Sequence, residues 1–321
     1  MRLYHHLTHG ERRVIQKKLY RRISLNEIAR SLERAPSTIS REVRRNKTRG
    51  YQCDEAQTYA RGRRLSRKRR LDCDGVIRLL VGTCLMERWS PEQISAVLTT
   101  IGDASLRISH EGIYQWLYGQ TGTKCPLCDY LRRMRGKRQK RDRMYKKRII
   151  IEGKKSIHTR PATAENRTEI GHWEADLVQS KGSDSYLLTA VDRAMKYLTM
   201  AKIPNKESET TIRGFTEAFA DIPNIHIRSI TVDNGSEFTK FIALEELFEC
   251  DVYFGDPYSA WQRGLNENTN GLIRQYLPKS KSFKNLTDDD VEYIKLSINN
   301  RPRKTLHYRT PEELFSVALG T

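Results

Sequence analysis

Three carboxylates stand where the residues around them would present them at the ends of secondary-structure elements. Asp176 lies in His172-Trp173-Glu174-Ala175-Asp176-Leu177-Val178. Asp233 follows the β-branched run Ile230-Thr231-Val232 and precedes Asn234-Gly235-Ser236-Glu237-Phe238. Glu267 lies in Gly264-Leu265-Asn266-Glu267-Asn268-Thr269-Asn270-Gly271. A β-branched run ending in an acid and Asn-Gly reads as a buried strand with a carboxylate at its tip. The Glu267 segment reads as a helix start. Three acids on separate elements suit a pair of divalent cations, because hard ions such as Mg²⁺ take oxygen ligands. Two such ions about 4 Å apart activate an attacking oxygen and stabilise a leaving one. The chemistry implied is phosphodiester transfer on a polynucleotide. Taken singly, each acid is more simply a solvated surface group, so the reading rests on their order and placement. Glu174 shares the period-two face of Asp176 and is the alternative ligand. Asp176 is preferred because its short side chain suits rigid bridging.

Other polar residues surround these acids. Asp184 and Asp192 have turn and salt-bridge roles as the simpler explanation. Helical spacing places Asn270, Gly271 and Arg274 along the Glu267 side. Arg274 there is a candidate phosphate contact, and Asn270 a candidate for orienting DNA or a water. Tyr258, Trp261 and Gln262 precede the helix in a polar loop, as a flap over DNA or with Trp261 anchored to the core.

Elements that would position the acids follow from the patterning of residues 164–321. Strands are expected at His172–Gln179, Ser185–Val191, Lys196–Ile203, Ile227–Val232 and Asp251–Phe254. Helices are expected at Glu207–Phe219, Phe241–Phe248, Arg263–Tyr276 and Asp288–Asn299. Three strands in short succession and then alternating helix and strand is the order of an α/β ribonuclease-H-like fold. In that topology the first and fourth strands are neighbours, which would bring Asp176 to Asp233.

The 321 residues allow two or three domains. The chain contains no apolar run of about eighteen residues and no apolar leader, so a cytoplasmic protein without a membrane span is expected. Six cysteines, at 53, 73, 84, 125, 128 and 250, show no framework spacing. Cys125 and Cys128 alone supply only two ligands for zinc. The net charge of +19 is unevenly placed. Residues 1–150 hold 36 Lys and Arg against 14 Asp and Glu, whereas 151–321 hold 22 against 25. A basic half joined to a near-neutral half suggests a polyanion-binding module attached to something else.

The basic half is multidomain in pattern and α-helical. Thr8 with Glu11, and Ser24 with Glu27, read as capping boxes opening two helices. Pro36 then suits the first turn of a third, Ser37-Thr38-Ile39-Ser40-Arg41-Glu42-Val43-Arg44-Arg45. Ile39 and Val43 face inward, leaving Ser37, Thr38, Ser40, Arg41, Arg44 and Arg45 outward. This is the layout of a helix-turn-helix whose last helix enters the major groove of double-stranded DNA. Residues 1–72 are assigned to it, including a basic helix from Tyr51 to Leu71. A second helix-turn-helix-like module is expected over 73–130. It opens at Ser90-Pro91-Glu92-Gln93, and its candidate recognition helix carries His110, Tyr114 and Gln115 outward, with a bare helical hairpin as the alternative. Residues 131–163 read as a basic linker.

Taken together, Trp173-Glu174-Ala175-Asp176, Asp233-Asn234-Gly235-Ser236-Glu237-Phe238 and Asn266-Glu267-Asn268 resemble the catalytic signature of bacterial insertion-sequence transposases. The closest resemblance is to the insertion-sequence-thirty family of DDE transposases. It covers nearly the whole chain, including Pro36-Ser37-Thr38-Ile39-Ser40-Arg41-Glu42 and the terminal Asn299-Asn300-Arg301-Pro302-Arg303-Lys304. The resemblance implies that Asp176, Asp233 and Glu267 are the catalytic, metal-binding acids. It implies Mg²⁺ with Mn²⁺ as a substitute, cleavage at inverted-repeat ends, and strand transfer of the 3′-hydroxyl ends into target DNA. Joining two ends in concert suggests a homodimer or higher assembly. Apart from the resemblance, the basic Arg301-Pro302-Arg303-Lys304 and His307-Tyr308-Arg309 are expected to contact phosphate, with a solvated tail as the alternative.

Overall fold

The computed structural model describes residues 5–46, 50–65, 70–119, 125–132, 151–182, 185–257 and 259–320. The chain divides into two compact units, Met1–Gly75 and Val76–Thr321.

The first unit is helical: α1 (His9–Tyr20), α2 (Leu25–Ser31), α3 (Pro36–Arg45), α4 (Cys53–Leu65) and the short α5 (Arg70–Cys73). Thr8 caps α1 in a full capping box, since its side chain accepts from Glu11 N while its own N–H donates to Glu11 Oε2 at 2.6 Å. Ser24 caps α2 by accepting from Glu27 N, but the reciprocal bond expected of a box is absent there. Leu7, Ile15, Ile28, Ala29, Ile39, Tyr51 and Ala56 form the core. Within it Arg12 is buried, with Nε 2.7 Å from Glu42 of α3 and Nη1 donating to Leu7 O and to Gln57 of α4. One guanidinium therefore ties three helices and fixes how α3 is presented. The basic run that follows Arg64, through Arg67, Lys68 and Arg69, lies outside the described residues.

The second unit begins with α6 (Gly75–Met86), α7 (Pro91–Thr100) and α8 (His110–Tyr118). Ser90 caps α7 in a capping box with Gln93. The strongly basic segment beyond Arg132, through residue 150, lies outside the described residues. Then come β1 (Lys155–Ser156), α9 (Ala162–Asn166), β2 (His172–Gln179), β3 (Tyr186–Asp192), β4 (Leu198–Ile203) and α10 (Ser208–Ala218). They are followed by β5 (Ser229–Val232), α11 (Phe241–Phe248), β6 (Asp251–Phe254), α12 (Gly264–Tyr276), α13 (Asp288–Asn299) and α14 (Pro311–Leu319).

The sheet order is β1-β6-β5-β2-β3-β4. β2, β3 and β4 form the expected antiparallel meander, while β5 runs parallel to β2 and β6 parallel to β5. The strand at Lys155–Ser156 was not expected, because two exposed polar residues carry no strand pattern. It adds to β6 because Ile151 and Ile157 on either side are buried. One core lies between the sheet, α10 and α11, with Trp173, Phe215, Phe219, Phe238 and Phe254 among its members. The other lies under α12 and α13, built from Leu187, Leu198, Leu272, Ile273, Phe283 and Ile298.

The terminal Asn299–Arg301 segment is structural. Asn299 is fully buried, accepting from Leu198 N at 2.8 Å and donating to Leu198 O at 2.9 Å. Arg301 is also buried, donating to Gln275 Oε1 and the Tyr276 hydroxyl. The expected phosphate contact at Arg301 is therefore replaced by an internal brace. Two side-chain acceptors, one amide and one phenol, and the burial of the methylene stem draw the guanidinium inside.

His172 at the start of β2 is buried between Ser229 Oγ (2.8 Å) and Glu169 Oε2 (3.1 Å). Burial pushes its pKa below 6.5 despite the opposing pull of Glu169. A depressed folded pKa means stability is full above the unfolded value and is lost as pH falls, because the unfolded chain takes the proton more readily. Wild type should therefore lose more melting temperature than His172→Gln between about pH 7.5 and about pH 5.5. Equal losses in the two proteins would refute this assignment.

Candidate active site

Register brings two of the acids together. Glu174 of β2 pairs with Thr231 of β5. Asp176 and Asp233 each lie two residues further on, at the same step along parallel strands, and so project on the same side. Asp233 is oriented by its own turn, with Oδ1 accepting from Gly235 N at 2.9 Å. Asn234 closes that turn, donating to Gly255 O beyond β6. Gly235 has φ of −75°, so the turn does not need a left-handed residue there. Instead, a Cβ at Gly235 would lie 2.4 Å from Glu237 Cδ.

Arg263, immediately before α12, bridges the pair. Its Nη1 is 3.7 Å from Asp176 Oδ1 and its Nη2 is 3.4 Å from Asp233 Oδ2. Asn270 Nδ2 donates to Asp176 Oδ2 at 2.8 Å. Burial raises the pKa of Asp176; Arg263 opposes this and the neighbouring Asp233 adds to it. Glu267 lies four residues after Arg263 and three before Asn270. Helical spacing thus places it on the side of α12 that carries both Asp176 partners. Glu267 is exposed and has no hydrogen bond or ion pair among the described residues. The three carboxylates are not gathered within 4.8 Å; among the described residues only His9, Cys53 and Asp54 are so grouped.

Glu174, the alternative ligand, is engaged inside the protein. It is fully buried and ion-paired with buried Arg193, while its other oxygen accepts from Asn266 N. Arg193 also donates to Ala164 O at 2.8 Å. Asp192 is likewise internal, accepting from Gly171 N and Met195 N, and burial pushes its pKa up to about 6. Asp184 and Tyr258 lie outside the described residues. Arg274 spends its guanidinium on Gln179 O (2.8 Å) and Leu277 O (3.3 Å), closing the end of β2 onto α12. Trp261 is 75% exposed, which excludes the anchoring role.

The donor set fits divalent ions. Asp176 and Asp233 offer hard oxygens, held close against their mutual repulsion with a single guanidinium to offset it. Asn270 Oδ1 is buried without a partner among the described residues, an acceptor that a hydrated cation's water would satisfy. Arg263 is the site residue that sequence patterning missed. Its only signal was its place four residues before Glu267.

On the DNA-binding side, Ser37, Ser40, Arg41, Arg44 and Arg45 of α3 are exposed and Thr38 is half-buried. Arg41 Nε donates to Ser37 O at 3.2 Å, which leans it along the helix. On α8, Ile113, Trp116 and Leu117 are buried while His110 and Tyr114 are exposed. This helical pair packs within the catalytic unit: Gln93 donates to Pro302 O, Glu92 pairs with Lys304 at 2.7 Å, and Arg88 stacks over Tyr276.

A basic helix-turn-helix and a ribonuclease-H-like sheet with paired acids define a DNA-processing enzyme of the polynucleotidyl transferase class. The chain matches the family model described as a helix-turn-helix domain over residues 4–46, and the integrase core domain over residues 166–260. It is 38% identical over 319 residues to the transposase InsI for insertion sequence element IS30A of Escherichia coli K12, covering 96% of this chain and 83% of that protein. The transposase for IS1086 of Cupriavidus metallidurans is 37% identical, with 93% and 90% covered. The transposase for IS4351 of Bacteroides fragilis is 35% identical, with 98% and 97% covered. The chain belongs to the IS30 family of insertion-sequence transposases. No described helix is long and apolar enough to cross a membrane.

Proposed function

We propose that this transposase binds the terminal inverted repeats of its insertion sequence, cleaves DNA at the element ends and joins the resulting 3′-hydroxyls to target DNA. Asp176, Asp233 and Glu267 are the catalytic acids in this reading, holding Mg²⁺, with Mn²⁺ as a substitute. The observation that carries it is the convergence of Asp176 and Asp233 at one guanidinium, with Glu267 on the adjoining helix face. Bound ions would supply activation of the attacking oxygen and neutralisation of the leaving one. The chain supplies the rest. Asn270 fixes the Asp176 carboxylate, and the Asp233 turn fixes its neighbour. Arg263 offsets their charge in the unloaded protein. In the first reaction water attacks the end phosphodiester and the 3′-oxygen leaves as a hydroxyl. In the second that hydroxyl attacks a target phosphodiester and displaces a target 3′-oxygen.

Domains 1–72, 73–130, 131–163 and 164–321 divide the labour in this reading. Ser37, Thr38, Ser40, Arg41, Arg44 and Arg45 read the repeat, with His110 and Tyr114 contacting DNA from the second module. Arg274 acts by bracing the site more than by touching phosphate. The protein works in the bacterial cytoplasm on chromosomal or plasmid DNA, as a homodimer or larger assembly on paired ends.

The direct test is gel-shift and cleavage on candidate terminal repeats, with Mg²⁺ and with a chelator. Binding that survives chelation together with cleavage that does not is the expected result; chelator-resistant cleavage rejects the metal assignment. In the same assay Arg41→Ala should weaken cognate binding by about 1–3 kcal/mol if Arg41 reads a base. Equal weakening on random DNA would reduce it to a phosphate contact.

A further inference from the structure

We propose that Trp261 is a base-stacking residue of the active site, receiving a DNA base that has left the duplex stack beside the reacting phosphodiester. This rests on the strand-cleavage reading above.

The chain has four tryptophans. Trp116 and Trp173 are 8% and 0% exposed, Trp89 is half-buried, and Trp261 is 75% exposed. Burying a large apolar side chain contributes roughly 2–3 kcal/mol, so the position forgoes stabilisation. An isolated exposed aromatic is common enough. What distinguishes Trp261 is its mounting. It sits in the short turn Ala260–Arg263. The next residue, Gln262, clasps that turn: Oε1 accepts from Asp256 N and Nε2 donates to Asp256 Oδ2, both at 2.8 Å. Asp256 is held in turn by His158 at 2.7 Å. One residue further, Arg263 reaches both aspartates. The indole is therefore carried on a fastened turn that ends at the carboxylates. Its own ring makes no hydrogen bond or ring stack among the described residues. Gly264 lies three residues on, on the same side of a 3₁₀ turn. A Cβ there would meet nothing within 4 Å, so the start of α12 beside this turn is open among the described residues.

The ligand chemistry follows from what DNA can offer an indole. An intact duplex shows sugar and phosphate outward, and its ring faces are covered. A base offers a free π-face only after leaving the stack. Unstacking costs a few kcal/mol. Stacking on an aromatic side chain returns about 1–3 kcal/mol per base, irrespective of sequence. The two are of similar size, so an indole at this place would make local opening of the duplex nearly neutral. That opening lets the backbone bend toward carboxylates set at strand ends.

The test uses the full chain. Trp261→Ala should slow cleavage of fully paired ends by about 5- to 100-fold, with gel-shift binding and melting temperature unchanged. Trp261→Phe should keep most of the rate. On ends carrying a mismatch beside the cleavage site, where the base is already loosened, Trp261→Ala should recover most of its loss. In an Asp233→Asn background, 5-iodouracil placed beside the cleavage site should photocrosslink to Trp261. Parental rates for Trp261→Ala on paired ends would overturn the proposal, as would an equal defect on paired and mismatched ends. So would crosslinking that maps elsewhere. A crosslink at Trp261 alongside normal cutting by Asp233→Asn would leave the stacking role standing and reject the acid assignment instead.

Discussion

Asp233→Asn and Glu267→Gln will each lower end cleavage by at least about a thousandfold, equivalent to about 4 kcal/mol of transition-state stabilisation. Both leave affinity for terminal repeats within about twofold. The substitutions are isosteric and remove charge alone. Asp233 is partly exposed and its Oδ1 contact with Gly235 N is local, so the fold tolerates the amide. Glu267 is exposed and has no hydrogen bond or ion pair to lose among the described residues. Residues that present α3 to DNA lie in the other compact unit. The measurement is single-turnover cleavage beside a gel shift on the same duplex. Mutants that cut like the parent would show that chemistry occurs elsewhere. Mutants that lose binding and cutting in parallel would show a folding defect instead.

Glu174→Ala will lower stability by about 3–5 kcal/mol, because it strands a buried guanidinium. Glu174 and Arg193 side chains are 1% and 3% exposed, and Arg193 has already given its Nε to Ala164 O. For a unit of this size the loss corresponds to a fall in melting temperature of about 10 °C. Replacing both partners together, Glu174→Met with Arg193→Leu, should restore much of it, since no unpaired charge is left inside. Thermal melts of the metal-free protein decide the matter. A ligand role for Glu174 predicts the reverse pattern: unchanged melting without metal and lost cleavage with it.

The fold was legible where local chemistry and long-range pairing agree. The meander, the β2–β5 adjacency and the helix carrying Glu267 all follow from apolar runs broken by turn residues. Asp176 is preferred over Glu174 on side-chain length, whereas what distinguishes the two in the structure is burial and pairing. Glu174 has a buried cation waiting on the neighbouring strand's end, and that cation comes from Arg193, which sequence patterning left unassigned. Arg263 was similarly silent, since its partners lie on two strands distant in the chain. Arg301 was misjudged as a surface cation because nothing local says that Gln275 and Tyr276 will enclose it. β1 was missed for the same kind of reason: two polar residues become a strand only because β6 offers them an edge.

The Asn299 clamp on Leu198 has a further consequence. Its amide occupies the N–H and C=O of Leu198 at the start of the edge strand β4, as a neighbouring strand would at that one position. The opposite rim ends in a strand of two residues. Open rims are templates on which copies of a chain polymerise, and short or occupied rims remove the template. Crowding many copies onto one stretch of DNA therefore does not invite them to zip together through their sheets. Contacts between copies are left to helices, loops and the nucleic acid itself.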